Sequence, residues 1–379
     1  MTKGCGFINN KKEGKQTGKK WIKVALTVLA LLAAFLILTF FILRVVYSSV
    51  LRYAHKIDSP GIDLMETVEI GDIRQALYFR GQNAENPVIL VLHGGPGFPL
   101  MPFLHVFQYD WEHDFTVVHW DQRNTGKTYF ANDPEAVRST INAQSVLRDA
   151  HEVTRYIKQK LNKDKIIIMG HSWGSVLGTM LVQTYPEDYS AYIGIGQAVS
   201  MRENVRVGYE KTLEAARATG KQKDIAALEA LAPCPPPGGY DDNYRKRVTE
   251  LQKYQAKYKL AMGNELVIPL LTSPYYKLGD LRFALVADVS SQGDLMRFCV
   301  EEYDVYDYSL SYSVPVYYIM GENDYQTPYP LAEELFAQIS APDKAFFSIP
   351  DAGHMPMTDN KAEFTRVLLE EIRPRIQGR

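Results

Sequence analysis

The sequence predicts an α/β architecture: a mostly parallel sheet flanked by helices, interrupted by a helical insertion and preceded by one N-terminal transmembrane helix. Three observations carry this. Strand-like and helix-like patterns alternate through residues 65–199 and 311–379, the rhythm of a parallel sheet covered by helices. Within that rhythm, Ile166–Ser175 (IIIMGHSWGS) joins a β-branched run to an apolar helical pattern through Gly170-His171-Ser172-Trp173-Gly174. Ahead of the body, Val24–Leu43 contains no charged residue. As a helix it would span roughly 30 Å, the thickness of a bilayer core.

The N-terminal stretch reads as an uncleaved anchor. Its apolar run exceeds the roughly 7–15 residues usual in a signal peptide, and Arg44-Val45-Val46-Tyr47 offers no small-residue cleavage site. Residues 1–23 hold Lys3, Lys11, Lys12, Lys15, Lys19, Lys20 and Lys23 against the single acid Glu13. The positive-inside bias therefore predicts a single-pass protein of the cell membrane, with a basic cytoplasmic tail (1–23), a transmembrane helix (24–43), a stalk (44–64) and a body on the outer side. The lipid bilayer is the partner expected for residues 24–43.

The elements of the body follow in order. Met65–Ile70 and Ile73–Phe79 form a hairpin turning at Gly71-Asp72. Pro87–Leu92 and Phe115–Trp120 are continuous apolar runs, hence strands buried on both faces. Residues 141–161 carry a helical stripe of Ala143, Val146, Leu147, Ala150, Val153 and Ile157. The 166–175 strand and a helix to about Tyr185 come next, then strands at Tyr192–Ile195, Val314–Met320 and Ala345–Ile349, with helices at 330–340 and 361–373. Residues 200–310 break the rhythm. They hold helical patterns at Val205–Ala218, Lys221–Leu231 and Tyr244–Lys259 and a proline-rich breaker at 233–239. They read as a helical cap lying over the strand ends.

Composition excludes some classes. A net charge of −2 gives no global case for nucleic acid. Eight histidines fall at no metal-ligand spacing, so no metal and no cofactor is expected. Of three cysteines, Cys234 and Cys299 lie in the body, and a bridge between them is open on sequence.

The chemistry centres on Ser172. A serine at the tip of a tight strand-to-helix turn has a strained backbone, and Gly170 and Gly174 let strand and helix approach beneath it. The helix N-terminus favours developing negative charge. Such a serine needs a base, and the base needs an orienting acid. Both are sought in loops at the carboxyl ends of strands. His354 follows the last strand, and Asp324 follows the strand before it; Glu322 and Asp351, each nearer its strand, are the alternative acids. Backbone N–H groups of Trp173 and of the His93–Gly97 loop, taken at Gly95, would hold an oxyanion. Asp121 and Arg123 read as structural.

His93-Gly94-Gly95-Pro96-Gly97, Trp120-Asp121-Gln122-Arg123 followed by Gly126, Gly170–Gly174, Gly321–Asp324 and Gly353-His354 together resemble the proline iminopeptidase (prolyl aminopeptidase) group of α/β-hydrolases, over roughly residues 65–200 and 312–379. The resemblance implies an α/β-hydrolase fold with a helical cap. It also implies a serine mechanism on peptides with a free N-terminus, through Ser172, Asp324 and His354. In that family cap carboxylates bind the substrate ammonium; by location alone Glu203, Glu210, Glu301 and Glu302 are the candidates. Two positions depart from the family pattern: Asn124 stands where glycine is usual, and Thr128 where serine is usual. A small peptide is the substrate expected first. An ester or amide on the same three residues is the alternative, and a silent binding protein of this fold is a third reading.

Overall fold

The computed structural model of the protein describes residues 7–263, 265–283 and 292–377. The chain forms two compact units, Met1–Ala54 and His55–Arg379.

The first unit is one helix, α1 (Phe7–Ala54). Its stretch Trp21–Ala54 is long and apolar enough to cross a membrane, and its large apolar side chains are exposed. It outruns the charge-free stretch at both ends. The helix starts within the segment expected as a tail and continues through much of the expected stalk. The flanks explain this: Lys, Glu and Gln are good helix formers, and no proline occurs before Pro60.

The second unit is built on an eight-stranded sheet: β1 (Ile62–Ile70), β2 (Ile73–Gly81), β3 (Val88–Leu92), β4 (Thr116–Asp121), β5 (Ile166–His171), β6 (Tyr189–Ile195), β7 (Val316–Gly321) and β8 (Lys344–Ile349), in the order β1-β2-β4-β3-β5-β6-β7-β8. β1, β2 and β4 pair antiparallel, and the rest of the sheet is parallel. The first hairpin turns at Gly71 (φ 56°) and Asp72 (φ 62°), both left-handed, as a two-residue turn requires. Strands β3, β4, β5 and β7 are buried throughout, which accounts for their unbroken apolar sequences.

Helix α2 (Ala143–Leu161) is capped by Asn142, whose side chain accepts from Ser145 N. It lays its apolar stripe on the core, with Val146, Ala150, Val153 and Ile157 fully buried. α3 (Trp173–Thr184) is buried from Trp173 to Val182 and follows β5 directly. Between β6 and β7 the chain leaves the sheet through α4 (Met201–Thr219), α5 (Gln222–Glu229), α6 (Asp242–Lys257) and the short α7 (Val267–Thr272). This insertion has a small apolar cluster of its own, including Val205, Ala216, Leu228, Tyr244 and Leu251. It belongs to the same compact unit as the sheet. Cys234 and Cys299 are buried free thiols, not a bridge.

Strand order positions the site. β3 lies between β4 and β5, so the chain leaves β3 to one side and returns to its other side. Such a reversal opens a crevice at the carboxyl ends of the two strands. The loop after β3 carries His93–Gly97, and the turn after β5 carries Ser172.

Candidate active site

Ser172 sits at φ 55°, ψ −117°, a conformation that L residues rarely adopt. Its neighbours hold it there. Ser172 N donates to Ile195 O (3.0 Å), while Ser175 N and Oγ both donate to Ser172 O (2.8 and 2.6 Å). The two flanking glycines are steric necessities. A Cβ on Gly170 would lie 2.2 Å from Gly174 O, and one on Gly174 would lie 2.0 Å from Leu92 O. Trp173 is the first residue of α3, a position whose N–H has no intrahelical partner.

His354 and Asp324 meet from two loops. Asp324 Oδ2 lies 2.8 Å from His354 Nδ1, and both side chains are buried. Thr327 Oγ1 donates to the same Oδ2 (2.9 Å), and the N–H groups of Gln326 and Thr327 donate to Oδ1 (2.9 and 3.0 Å). A carboxylate with that many donors accepts only. The network therefore puts the imidazole proton on Nδ1 and leaves Nε2 as the basic nitrogen. Glu322 and Asp351, the alternative acids, are exposed.

Two further histidines brace the site in neutral form. His171 Nε2 donates to His354 O (2.8 Å), tying the Ser172 turn to the His354 loop. Burial, then the charge of His354, pushes the His171 imidazolium down to about 3. His93 Nε2 accepts from Gln122 N (3.2 Å), so its proton is on Nδ1, 2.9 Å from Gly94 O. Burial lowers it to about 4. Gln122 completes the brace. Its Nε2 donates to His93 O (3.2 Å), and its Oε1 accepts from Trp173 Nε1 (3.0 Å). The loops bearing Gly95 and Trp173 are thus fixed to each other through one glutamine.

The neighbouring motif residues are structural, as the sequence suggests. Arg123 makes a bidentate pair with Asp149 (2.8 and 2.7 Å) and also reaches Thr140 and Gly71 O. Asp121 Oδ2 accepts from Lys127 N (2.7 Å) and from the Tyr276 hydroxyl. Its Oδ1 is buried without a partner, and burial raises the carboxyl to about 6. The two departures from the family pattern keep its physics. Asn124 adopts φ 57°, a left-handed conformation that asparagine tolerates better than most residues. Thr128 uses the hydroxyl that serine would supply: it donates to Asp121 O (2.5 Å) and accepts from Ala76 N (2.9 Å).

Ser172 and His354 line one cavity of about 380 Å³, with Gly94–Phe98 on one side. The insertion supplies the opposite wall. Arg245, Val248, Thr249 and Gln252 of α6 line it, with Tyr240, Tyr244, Met262 and Met296; Gln326, from the loop after β7, also lines the cavity. The spacing 245, 248, 249, 252 is one helical face, a pattern legible in the sequence once a helix is placed there. No carboxylate is among the lining residues described.

The four glutamates expected to read the substrate lie elsewhere. Glu203 and Glu210 both pair with Arg206 on the exposed face of α4. Glu301 accepts from Tyr240 N (2.5 Å) and is exposed. Glu302 lines a separate surface hollow with Asn142 and Arg297. Location on the insertion did not distinguish a solvated face from a cavity wall. Among the described residues, no three His, Cys, Asp or Glu side chains are gathered as a metal would require.

Residues 87–361 match the family model described as the alpha/beta hydrolase fold. The chain belongs to that family. Among alpha/beta hydrolases it is similar to the probable aminopeptidase YbaC of Bacillus subtilis (strain 168), at 26% identity over 83% of this chain and 98% of that protein. It is also similar to the proline iminopeptidase of Neisseria gonorrhoeae, at 28% identity over 32% of this chain and 36% of that protein. In fold it resembles a proline iminopeptidase-related protein of Thermus thermophilus, with a TM-score of 0.53 at 21% identity, covering 82% of this chain and 96% of that one.

Proposed function

We propose that this hydrolase is a serine aminopeptidase acting on short peptides through an acyl-enzyme. The observation that carries the reaction type is the Asp324–His354 contact, with His354 and the strained Ser172 lining one cavity and Asp324 buried behind it. His354 Nε2 takes the proton of Ser172 as Oγ attacks the scissile carbonyl, and Asp324 stabilises the imidazolium. The N–H groups of Gly95 and Trp173 hold the oxyanion at the positive end of α3. His354 then protonates the leaving amine. Water, deprotonated by His354, resolves the acyl-enzyme. These steps use no cofactor. The peptide substrate is supported by the aminopeptidase-named relatives.

A second reading has its own support. The described cavity lining holds an arginine, amides, hydroxyls and apolar groups but no acid to pair with a substrate ammonium. That lining favours an esterase or amidase on the same three residues. Comparing free and N-blocked amino-acid arylamides with a short-chain aryl ester separates the two. Cleavage that requires a free N-terminus supports the aminopeptidase; turnover of the ester and the blocked amide alone sinks it.

The insertion 200–310 acts in this reading as the cap, and Val24–Leu43 as a membrane anchor with the lysine-rich N-terminus in the cytoplasm. Protease accessibility of the body on intact cells tests that orientation.

A further inference from the structure

Among the described residues, the insertion wall of the Ser172 cavity carries a single charge, and it is positive. Arg245 stands in the first turn of α6, on the face that also presents Val248, Thr249 and Gln252 to the cavity. The acids beside it in sequence lie outside the described lining. Asp241 caps the helix, accepting from Tyr244 N (2.7 Å). Asp242 Oδ1 accepts from Arg245 Nη2 (2.9 Å), in a pair whose two side chains are both solvent-exposed.

That pair leaves the guanidinium open to a substrate. An exposed ion pair between residues three apart on a helix is weak and exchanges readily. It occupies one of five N–H donors, so at least one two-pronged edge remains for an incoming carboxylate. A short peptide has an ammonium at one end and a carboxylate at the other. This wall repels the first and attracts the second. The rest of the wall suits the body of such a molecule: Thr249 and Gln252 bring hydrogen-bonding groups, and Val248, Met262 and Met296 bring apolar contact. At about 380 Å³ the cavity stands near the lower end of the roughly 300–1,000 Å³ usual for small-molecule sites, which favours a di- or tripeptide over a long chain.

We infer that Arg245 is a specificity residue that binds a carboxylate on the leaving-group side of the substrate. For a peptide this is the C-terminal carboxylate of a di- or tripeptide. The inference rests on the serine aminopeptidase reading and narrows its substrate class: the charge that the insertion reads is the free C-terminus.

The test compares the full chain, in detergent micelles, with its Arg245→Gln and Arg245→Lys variants. Two kinds of substrate pair are run side by side. Prolyl-alanine and alanyl-alanine are each set against the C-terminal amide, and 4-acetoxybenzoate is set against 4-acetoxybenzamide. In every pair only one member carries a carboxylate on its leaving group. The wild type is expected to favour the acid member at least about tenfold in kcat/KM, mostly through KM, as one charge-assisted contact would give. Arg245→Gln is expected to bring the acid-to-amide ratio to about one. Arg245→Lys is expected to restore part of it, a rescue that an arginine needed only for packing would not show. The ratio is taken within one preparation, so a partly folded variant does not change it. Peptide cleavage with a ratio near one in the wild type, or with a ratio unmoved by Arg245→Gln, overturns the role of Arg245 and leaves the aminopeptidase standing. An Arg245-dependent ratio on the esters, with none of the peptides cleaved, overturns the aminopeptidase and leaves the role of Arg245 standing. No Ser172-dependent turnover in any pair overturns both.

Discussion

The cavity has two walls of opposite character. On the sheet side the side chains around Ser172 are fixed by named partners: Asp324 accepts from three residues, Gln122 bridges two loops, and His171 ties the serine turn to the histidine loop. On the insertion side the wall is one face of α6, and its polar members Arg245, Thr249 and Gln252 are exposed to the cavity. The first wall is a preorganised electrostatic device, where small displacements are costly. The second is a surface that can change residues without disturbing the fold. On the proposed reading, the difference teaches where each property would be encoded: reaction type in the strand-end loops, substrate choice in the helix face.

The contrast can be broken at several points. Ser172→Ala is expected to remove at least about 10³-fold of kcat without altering the fold, and Asp324→Asn about 10⁴-fold by upsetting the tautomer of His354. Steady-state rates on the responsive substrate, with circular dichroism as control, check both. Retained activity in Ser172→Ala would remove the serine mechanism.

Gly174→Ala is expected to destabilise by more than about 3 kcal/mol, because its Cβ would sit 2.0 Å from a backbone oxygen that cannot move away. A urea midpoint unchanged from wild type would refute this account of the turn.

Asp121 sharpens the contrast through pH. Its folded-state value is raised to about 6 from an ordinary value of 3.8. Protonation therefore favours the folded state. That contribution is fully present below about pH 4 and is lost as pH rises through about 6. It amounts to about 3 kcal/mol at most. Asp121→Asn, which keeps an acceptor for Tyr276 and Lys127 N, should flatten the stability–pH curve between pH 4 and 6. Urea titrations across that window measure it; an unchanged slope would show that Asp121 does not titrate there.

The smallest effects are expected at the insertion's surface charges. Glu203→Gln and Glu210→Gln each break an exposed pair with Arg206, and such pairs contribute at most about 1 kcal/mol. Stability should move by less than about 0.5 kcal/mol and kcat/KM by less than about twofold. A loss of kcat/KM of about tenfold or more at either position would restore it as a substrate-binding residue.

The sequence by itself determined a good deal of this molecule. Strand positions were legible because strands buried on both faces must be continuously apolar, as in Val88–Leu92 and Ile166–Met169. Ser172, Asp324 and His354 stood out because special backbone turns and strand-end loops leave a local signature of glycines and polar residues. The membrane-length helix was visible because a bilayer demands an uninterrupted apolar run.

Tertiary structure decided the rest. Glu203 and Glu210 look like the polar members of any cap helix; only packing shows that α4 turns them outward and that α6 turns Gln252 inward. Gln122 and His171 stand in motifs visible in the sequence, but the groups they bond lie on other loops far away in the chain, so only packing shows what they hold. Local pattern fixes which backbone a segment adopts, because neighbours in sequence set propensity and period. Which side chains face one another is set by how distant segments pack, and that is settled only when the whole chain has folded.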